Sequence, residues 1–228
     1  MLTIPGLCWL CRMPLACAHW GICSRCSSAL PKPPPCCPRC GLPSANTHTL
    51  CGRCLQRPPL WDALLFVTDY CPPLSHLVQR FKFNGTVALA PALARLLLLR
   101  VLEARRNNRP QPKPDCMVSV PLHSRRAWRR GFNQSDLLAR SLSRWLQCDY
   151  FPKGIIRIRA AQTQHQLTAR QRRNNLKGAF RVDFPVAGRH IIIVDDVVTT
   201  GSTVAEIARL LKKQGAATIQ VWCLCRTL

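Results

Sequence analysis

Apolar positions along this chain follow two rhythms, and the two alternate. ALLFVTDY over 63–70 is apolar and rich in β-formers, which predicts a strand. In LSHLVQRFKF, 74–83, Leu74, Leu77, Val78 and Phe81 recur at the three- and four-residue spacing of a helix. VALAPALARLLLLRVLEARR, 87–106, predicts a long helix, with Pro91 tolerable only in its first turn. RNNRPQPKP reads as a loop, and CMVSV (116–120) as a short buried strand. SDLLARSLSRWL (135–146) predicts a helix whose apolar side carries Leu137, Leu138, Leu142 and Trp145. Two strands follow, GIIRIR (154–159) and the fully apolar start of HIIIVDD (190–196). TVAEIARLLKKQG (203–215) predicts a helix stopped by Gly215, with Lys212 and Lys213 in its last turn. ATIQVWCL (217–224) is a final strand. Strands alternating with helices predict an α/β fold: a mainly parallel, twisted sheet with helices on both faces.

The first sixty residues have neither rhythm. They hold ten cysteines and runs such as LPKPPPCCP, which no helix accommodates, and no Asp or Glu. The texture changes around QRPPLWD, 56–62. Two regions are therefore expected: a small cysteine-rich module over 1–60 and one good-sized domain over 61–228.

Charge sharpens the picture. The chain has 33 Lys+Arg against 10 Asp+Glu, a formal net charge of +23. Such an excess favours polyanions, whether nucleic acid, phosphorylated ligands or an anionic membrane surface. The plainer reading is a basic solvated surface. The longest aliphatic run, LLLL at 96–99, is flanked by Arg95 and Arg100 and is far short of a membrane span. No basic n-region precedes an apolar stretch at the start. A cytoplasmic protein, not integral to a membrane, is expected.

Against this basic background IIIVDDVVTTGST, 191–203, sets two acids side by side. A strand buried on both faces runs into Asp195 and Asp196, and parallel sheets bind ligands beyond the carboxyl ends of their strands. Repulsion and lost solvation would penalise the pair if buried, so an exposed rim facing sugar hydroxyls or a cation is expected. Thr203 and Glu206 have the spacing of a capping box, which puts a helix start at Thr203. Free amides there, with Gly201 to let the backbone curl, suit a phosphate. Thr199, Thr200, Ser202 and Thr203 add hydroxyls. The plainer alternative is a strand, turn and helix with coincidental acids.

This stretch resembles the 5-phosphoribosyl pyrophosphate (PRPP) signature of type I phosphoribosyltransferases. That resemblance implies that Asp195 and Asp196 contact the ribose hydroxyls and that residues 199–203 wrap the 5-phosphate. Pyrophosphate needs cations and usually Mg²⁺. VSVPLHSRRAWRRGFNQSDLLA (118–139) follows a strand and carries Arg125, Arg126, Arg129 and Arg130. RAAQTQHQLTARQRRNNLKGAF (159–180) is a long polar segment of the kind that forms lids, with Arg170, Arg172, Arg173 and Lys177. Asp195, Asp196, Arg129, Arg130 and Arg170 are the candidate catalytic group. His165 is a candidate base, although a histidine in a polar loop is more often solvated. Trp128 and Phe132 either stack on bases or pack beneath the loop.

VPLHSRRAWRRGFNQS, TQHQLTARQRRNNLKGAF and IIIVDDVVTTGST, behind a cysteine-rich start, resemble the ComF/GntX family across essentially the whole chain. The resemblance implies a phosphoribosyltransferase-like domain, a zinc-binding N-terminus and a role in uptake or use of extracellular DNA. Two functions stay open. One is a Mg²⁺- and PRPP-dependent transferase substituting at the anomeric carbon. The other is a non-catalytic single-stranded-DNA-binding adaptor, whose phosphate loop is only a ligand or regulatory site. The DNA-uptake machinery is a further candidate partner.

Four C-x-x-C pairs, Cys8/Cys11, Cys23/Cys26, Cys37/Cys40 and Cys51/Cys54, are separated by eleven, ten and ten residues. Two such pairs make one tetrahedral four-cysteine zinc site, so one or two structural ions are expected. The pairs combine either sequentially or crosswise. Cys17, Cys36, His19 and His48 are spare donors. Two tetrathiolate zinc sites bring the six Lys/Arg of residues 1–60 down to a net charge of about +2. Redox pairs or free thiols are the plainer reading. An odd total of fifteen cysteines argues against a secreted disulfide framework. Cys116, Cys223 and Cys225 fall on predicted strands, as small core residues.

Overall fold

The computed structural model describes residues 6–106, 112–122, 131–159 and 176–227. Five of its strands form one sheet. They are β1 (Ala63–Asp69), β2 (Cys116–Ser119), β3 (Asp149–Phe151), β6 (His190–Val198) and β7 (Thr218–Arg226). Their order is β1-β7-β6-β2-β3, and every neighbouring pair is parallel. The two central strands are buried on both sides, which is why IIIV and VWCLC are unbroken apolar runs.

Helices cover both faces. On one lie α3 (Leu74–Phe83), α4 (Ala90–Arg106) and α5 (Gln134–Leu146), closing over Met117, Ile192, Val194 and Trp222. On the other lies α6 (Ser202–Lys213), whose Val204, Ile207, Ala208 and Leu211 meet Val118, Ile191, Ile193 and Val221. Pro91 is the second residue of α4, where its missing N–H costs nothing. Asn133 caps α5 by accepting the Ser135 N–H at 3.1 Å.

Three details depart from the sequence reading. The buried stripe of α5 is centred on Ser135, Ala139 and Leu142, which leaves Trp145 on its flank, 43% exposed. GIIRIR contributes only β4 (Ile155–Arg157), which leaves the main sheet and pairs antiparallel with β5 (Phe180–Val182). β6 does not stop at the acids. It runs on through Val198, because Val197 and Val198 find partners in Cys225 and Arg226 of β7.

The cysteine-rich segment folds as two copies of one small unit. Cys8 donates its N–H to Met13 O (2.9 Å) and accepts from Arg12 N–H (3.0 Å). Cys37 repeats this with Leu42 O (2.8 Å) and Gly41 N–H (2.9 Å). In the second pair of each unit the first cysteine caps a one-turn helix and the second lies within it: Cys23 before α1 (Ser24–Ser28), which holds Cys26, and Cys51 before α2 (Gly52–Gln56), which holds Cys54. The first unit shares the core of the sheet's helical face through Leu15, Ile22 and Leu30. Gly21 (φ 66°) makes this possible, since a Cβ there would stand 2.5 Å from Ala92 Cβ. Arg95 locks the seam, donating to Ile22 O at 3.1 Å and stacking on Trp20 at 4.5 Å. The second unit is tied to the start of β1. Arg39 Nε donates to Trp61 O (3.0 Å), and Trp61 Nε1 donates to Arg39 O (2.6 Å).

Candidate functional site

The carboxyl end of β6 carries Asp195 and Asp196, and the pleat turns them to opposite faces. Asp196 is only 8% exposed and pairs with Lys82 Nζ of α3 at 3.1 Å. Asp195 Oδ1 accepts Ser135 Oγ at 3.1 Å and the Asp196 N–H at 2.9 Å. Burial pushes the Asp195 carboxyl up to about 7, and repulsion from Asp196 adds to it. The Asp196 N–H, Lys82 and Ser135 pull the other way without cancelling the rise. The acids are thus more enclosed than the rim expected from sequence, because the strand continues past them and α3 and α5 close in.

After β6 the chain turns. Thr199 and Thr200 are exposed, Gly201 (φ 73°) precedes the first turn of α6, and Thr200 Oγ1 lies 2.8 Å from Ser202 Oγ. A Cβ on Gly201 would come within 3.2 Å of the Trp61 ring in a backbone region that suits glycine. The expected capping box does not form, and Gly201 rather than Thr203 caps the helix. Glu206 is drawn elsewhere. It accepts the Gly178 N–H at 2.9 Å and pairs with Arg209 at 2.8 Å, which holds its carboxyl below the usual range.

Arg226, at the end of β7, fixes this turn. Its buried guanidinium donates to Val198 O (2.9 Å), to Thr199 O, to Thr227 O (2.9 Å) and to Cys40 O (3.4 Å). One side chain thereby pins the loop to the second cysteine unit. The loop opens onto a cavity of about 610 Å³ between the two. Thr199, Thr200, Gly201 and Ser202 line it, facing Arg53, Arg57 and Trp61; Asp195, Asp196 and Thr203 do not. Nothing in the sequence singles out Lys82, Ser135, Arg53 or Arg57, because what each faces is distant in the chain; Arg226 alone stands out, as a charge that closes the apolar run VWCLC.

Arg129, Arg130 and Arg170 lie outside the described residues, as do Arg125, Arg126, Trp128, His165, Arg172 and Arg173. Phe132 is half-buried with its ring 6.0 Å from that of Phe81, so it packs against the core. Lys177 is exposed.

The cysteine pairs combine sequentially. Cys8, Cys11, Cys23 and Cys26 form one cluster and Cys37, Cys40, Cys51 and Cys54 the other, all sulfurs of a set within 4.8 Å. Cys17, Cys36, His19 and His48 belong to neither. Each cluster has the same internal bonds. The Cys23 N–H points at Cys8 Sγ and the Cys51 N–H at Cys37 Sγ, both at 3.4 Å. Burial raises the Cys8 and Cys37 thiols, but backbone N–H donors outweigh it and leave them at about 6 and about 7. Burial pushes Cys26 up to about 12 and Cys40 up to about 11. Four convergent thiols, one already acidic, suit a tetrahedral thiophilic cation such as Zn²⁺. Cys116, Cys223 and Cys225 are buried in the core, as expected. No helix among the described residues is long and apolar enough to cross a membrane.

Comparison with known proteins bears on both regions. The phosphoribosyl transferase domain family matches residues 129–228. The DNA utilization protein YhgH of Escherichia coli O157:H7 is 63% identical over 228 residues, covering the whole of both chains. Competence protein F of Haemophilus influenzae is 42% identical over 224 residues, covering 96% of each. Competence protein ComFC of Bacillus subtilis is 30% identical over 199 residues, 84% of this chain and 78% of that one.

Proposed function

The chain belongs to the family of DNA utilization protein YhgH and competence protein F, and from that premise we propose that it binds PRPP, or a similar phosphorylated ribose, in the service of taking up or using extracellular DNA. The observation that carries this reading is the turn from Thr199 to Ser202. It offers hydroxyls and the first amides of α6 to a cavity whose described lining includes arginines and no Asp or Glu. In this reading residues 1–60 form a zinc module and residues 61–228 the phosphoribosyltransferase-like domain. Asp195 and Asp196, which stand just before the turn and outside the cavity lining, meet the ribose hydroxyls by exchanging their bonds to Ser135 and Lys82, and residues 199–203 hold the 5-phosphate. Mg²⁺ accompanies the pyrophosphate, and Arg129, Arg130 and Arg170 neutralise its charge. Each cysteine cluster holds one structural Zn²⁺, with no open position for a substrate. Fifteen thiols, eight of them metal ligands, suit the reducing cytoplasm.

Thermal denaturation tests the reading. PRPP with Mg²⁺ raises the melting temperature of the parent protein, because a ligand bound only by the folded state stabilises it. Asp195→Asn combined with Asp196→Asn removes the shift. A parent protein that melts at the same temperature with and without PRPP would falsify it. The net charge of +23 supports a second, compatible reading in which the basic surface grips single-stranded DNA.

A further inference from the structure

We propose that the second cysteine unit is part of the phosphate site itself, with Arg53 and Arg57 reaching across the cavity to bind the phosphoryl group held by the 199–202 turn. This rests on the phosphorylated-ribose reading and adds to it a ligand contact from outside the phosphoribosyltransferase domain.

Four observations carry it. First, Arg53, Cys54 and Arg57 line the same cavity as Thr199, Thr200 and Ser202. Second, among the described residues three arginines line that cavity and no Asp or Glu does, so no acidic side chain among them balances their charge. Third, the three are not equivalent. Arg226 spends its donors on four backbone carbonyls, whereas neither Arg53 nor Arg57 makes a side-chain hydrogen bond or ion pair among the described residues. Arg53 is near enough that its charge adds to burial in lowering the pKa of Arg226. Guanidinium groups crowded in this way repel one another until an anion sits among them. Fourth, Arg53 stands between Cys51 and Cys54, so closing the cluster fixes its backbone: the Cys54 N–H donates to Cys51 O at 2.8 Å.

The internal repeat supplies the control. Arg25 lies between Cys23 and Cys26 as Arg53 lies between Cys51 and Cys54. It is exposed and does not line the cavity. The two clusters should therefore differ in function although they match in chemistry: filling the 37/40/51/54 cluster orders a ligand contact, and filling the 8/11/23/26 cluster does not.

Calorimetric titration of the full-length, zinc-loaded protein with ribose 5-phosphate, PRPP plus Mg²⁺ and inorganic phosphate tests this. Arg53→Ala with Arg57→Ala weakens ribose 5-phosphate binding by about tenfold or more, the scale of losing charge-assisted contacts. Zinc content stays unchanged, and Arg25→Ala binds as the parent does. Arg53→Lys with Arg57→Lys recovers part of the loss. Should the alanine pair lose zinc, Arg57→Gln alone, outside the C-x-x-C, is the reporter and weakens binding severalfold. If the parent binds and the arginine variants match it, the inference is wrong while the phosphate site stands. If the parent binds none of the three probes, both fall together.

Discussion

Asp195 keeps its proton at a pH where an ordinary aspartate has lost it. Its folded value of about 7 lies above the ordinary 3.8, because burial and the neighbouring Asp196 both oppose its charge. The folded protein thus binds a proton more tightly than the unfolded chain. The stability this contributes is fully present below about pH 3.8 and is lost as pH rises through about 7. Asp195→Asn carries no such proton. Melting curves from about pH 5 to about pH 8 should show the parent losing stability relative to the variant as pH rises. Parallel curves would contradict the burial argument. The pair of acids was visible in the sequence as two carboxylates in a chain with few. Their environment was not, since Lys82 and Ser135 come from helices far away along the chain. Thr203 and Glu206 mislead for the same reason: the capping spacing is real, but Arg209 and the Gly178 amide compete for the carboxylate and win.

Among the elements, the repeated cysteine unit has the clearest consequences. The ladder of C-x-x-C pairs was legible because metal ligation needs that spacing. Which pair joins which was not, because both arrangements satisfy the same donors. The observed sequential pairing makes a specific prediction. Cys8→Ser and Cys37→Ser each lower the zinc count by one ion, and native mass spectrometry should show the other cluster still filled. Crosswise pairing would couple Cys8 to the 37/40 pair instead. The two losses should also differ in severity. The first unit packs Leu15 and Ile22 into the core over α3 and α4, so Cys8→Ser lowers the melting temperature more than Cys37→Ser. The long elements α3 and α4 and the apolar strands were readable because burial imposes their rhythm. The antiparallel pairing of β4 with β5, and the short strands β3 and β5 themselves, were not, since three-residue strands carry too little pattern.

For the molecule as a whole, charge decides the partners and the sheet decides the order of assembly. A net charge of +23 predicts that single-stranded DNA binding collapses with salt, through release of counterions. Raising NaCl from about 50 to about 200 mM should cost on the order of tenfold or more in affinity by fluorescence anisotropy. A flat response would remove DNA from the partners. The strand order has a different outcome. β1 has one neighbour in the sheet, β7, which begins only at Thr218, near the far end of the chain. As a nascent polypeptide leaves the ribosome, both cysteine clusters can capture metal once Cys54 is out. The first strand then waits, its hydrogen-bonding edge open, until the seventh has been translated. Arg226 arrives with that strand, so the grip on Thr199 and Cys40 is among the last contacts to be made. Filling the clusters early would shelter part of the greasy surface through that delay.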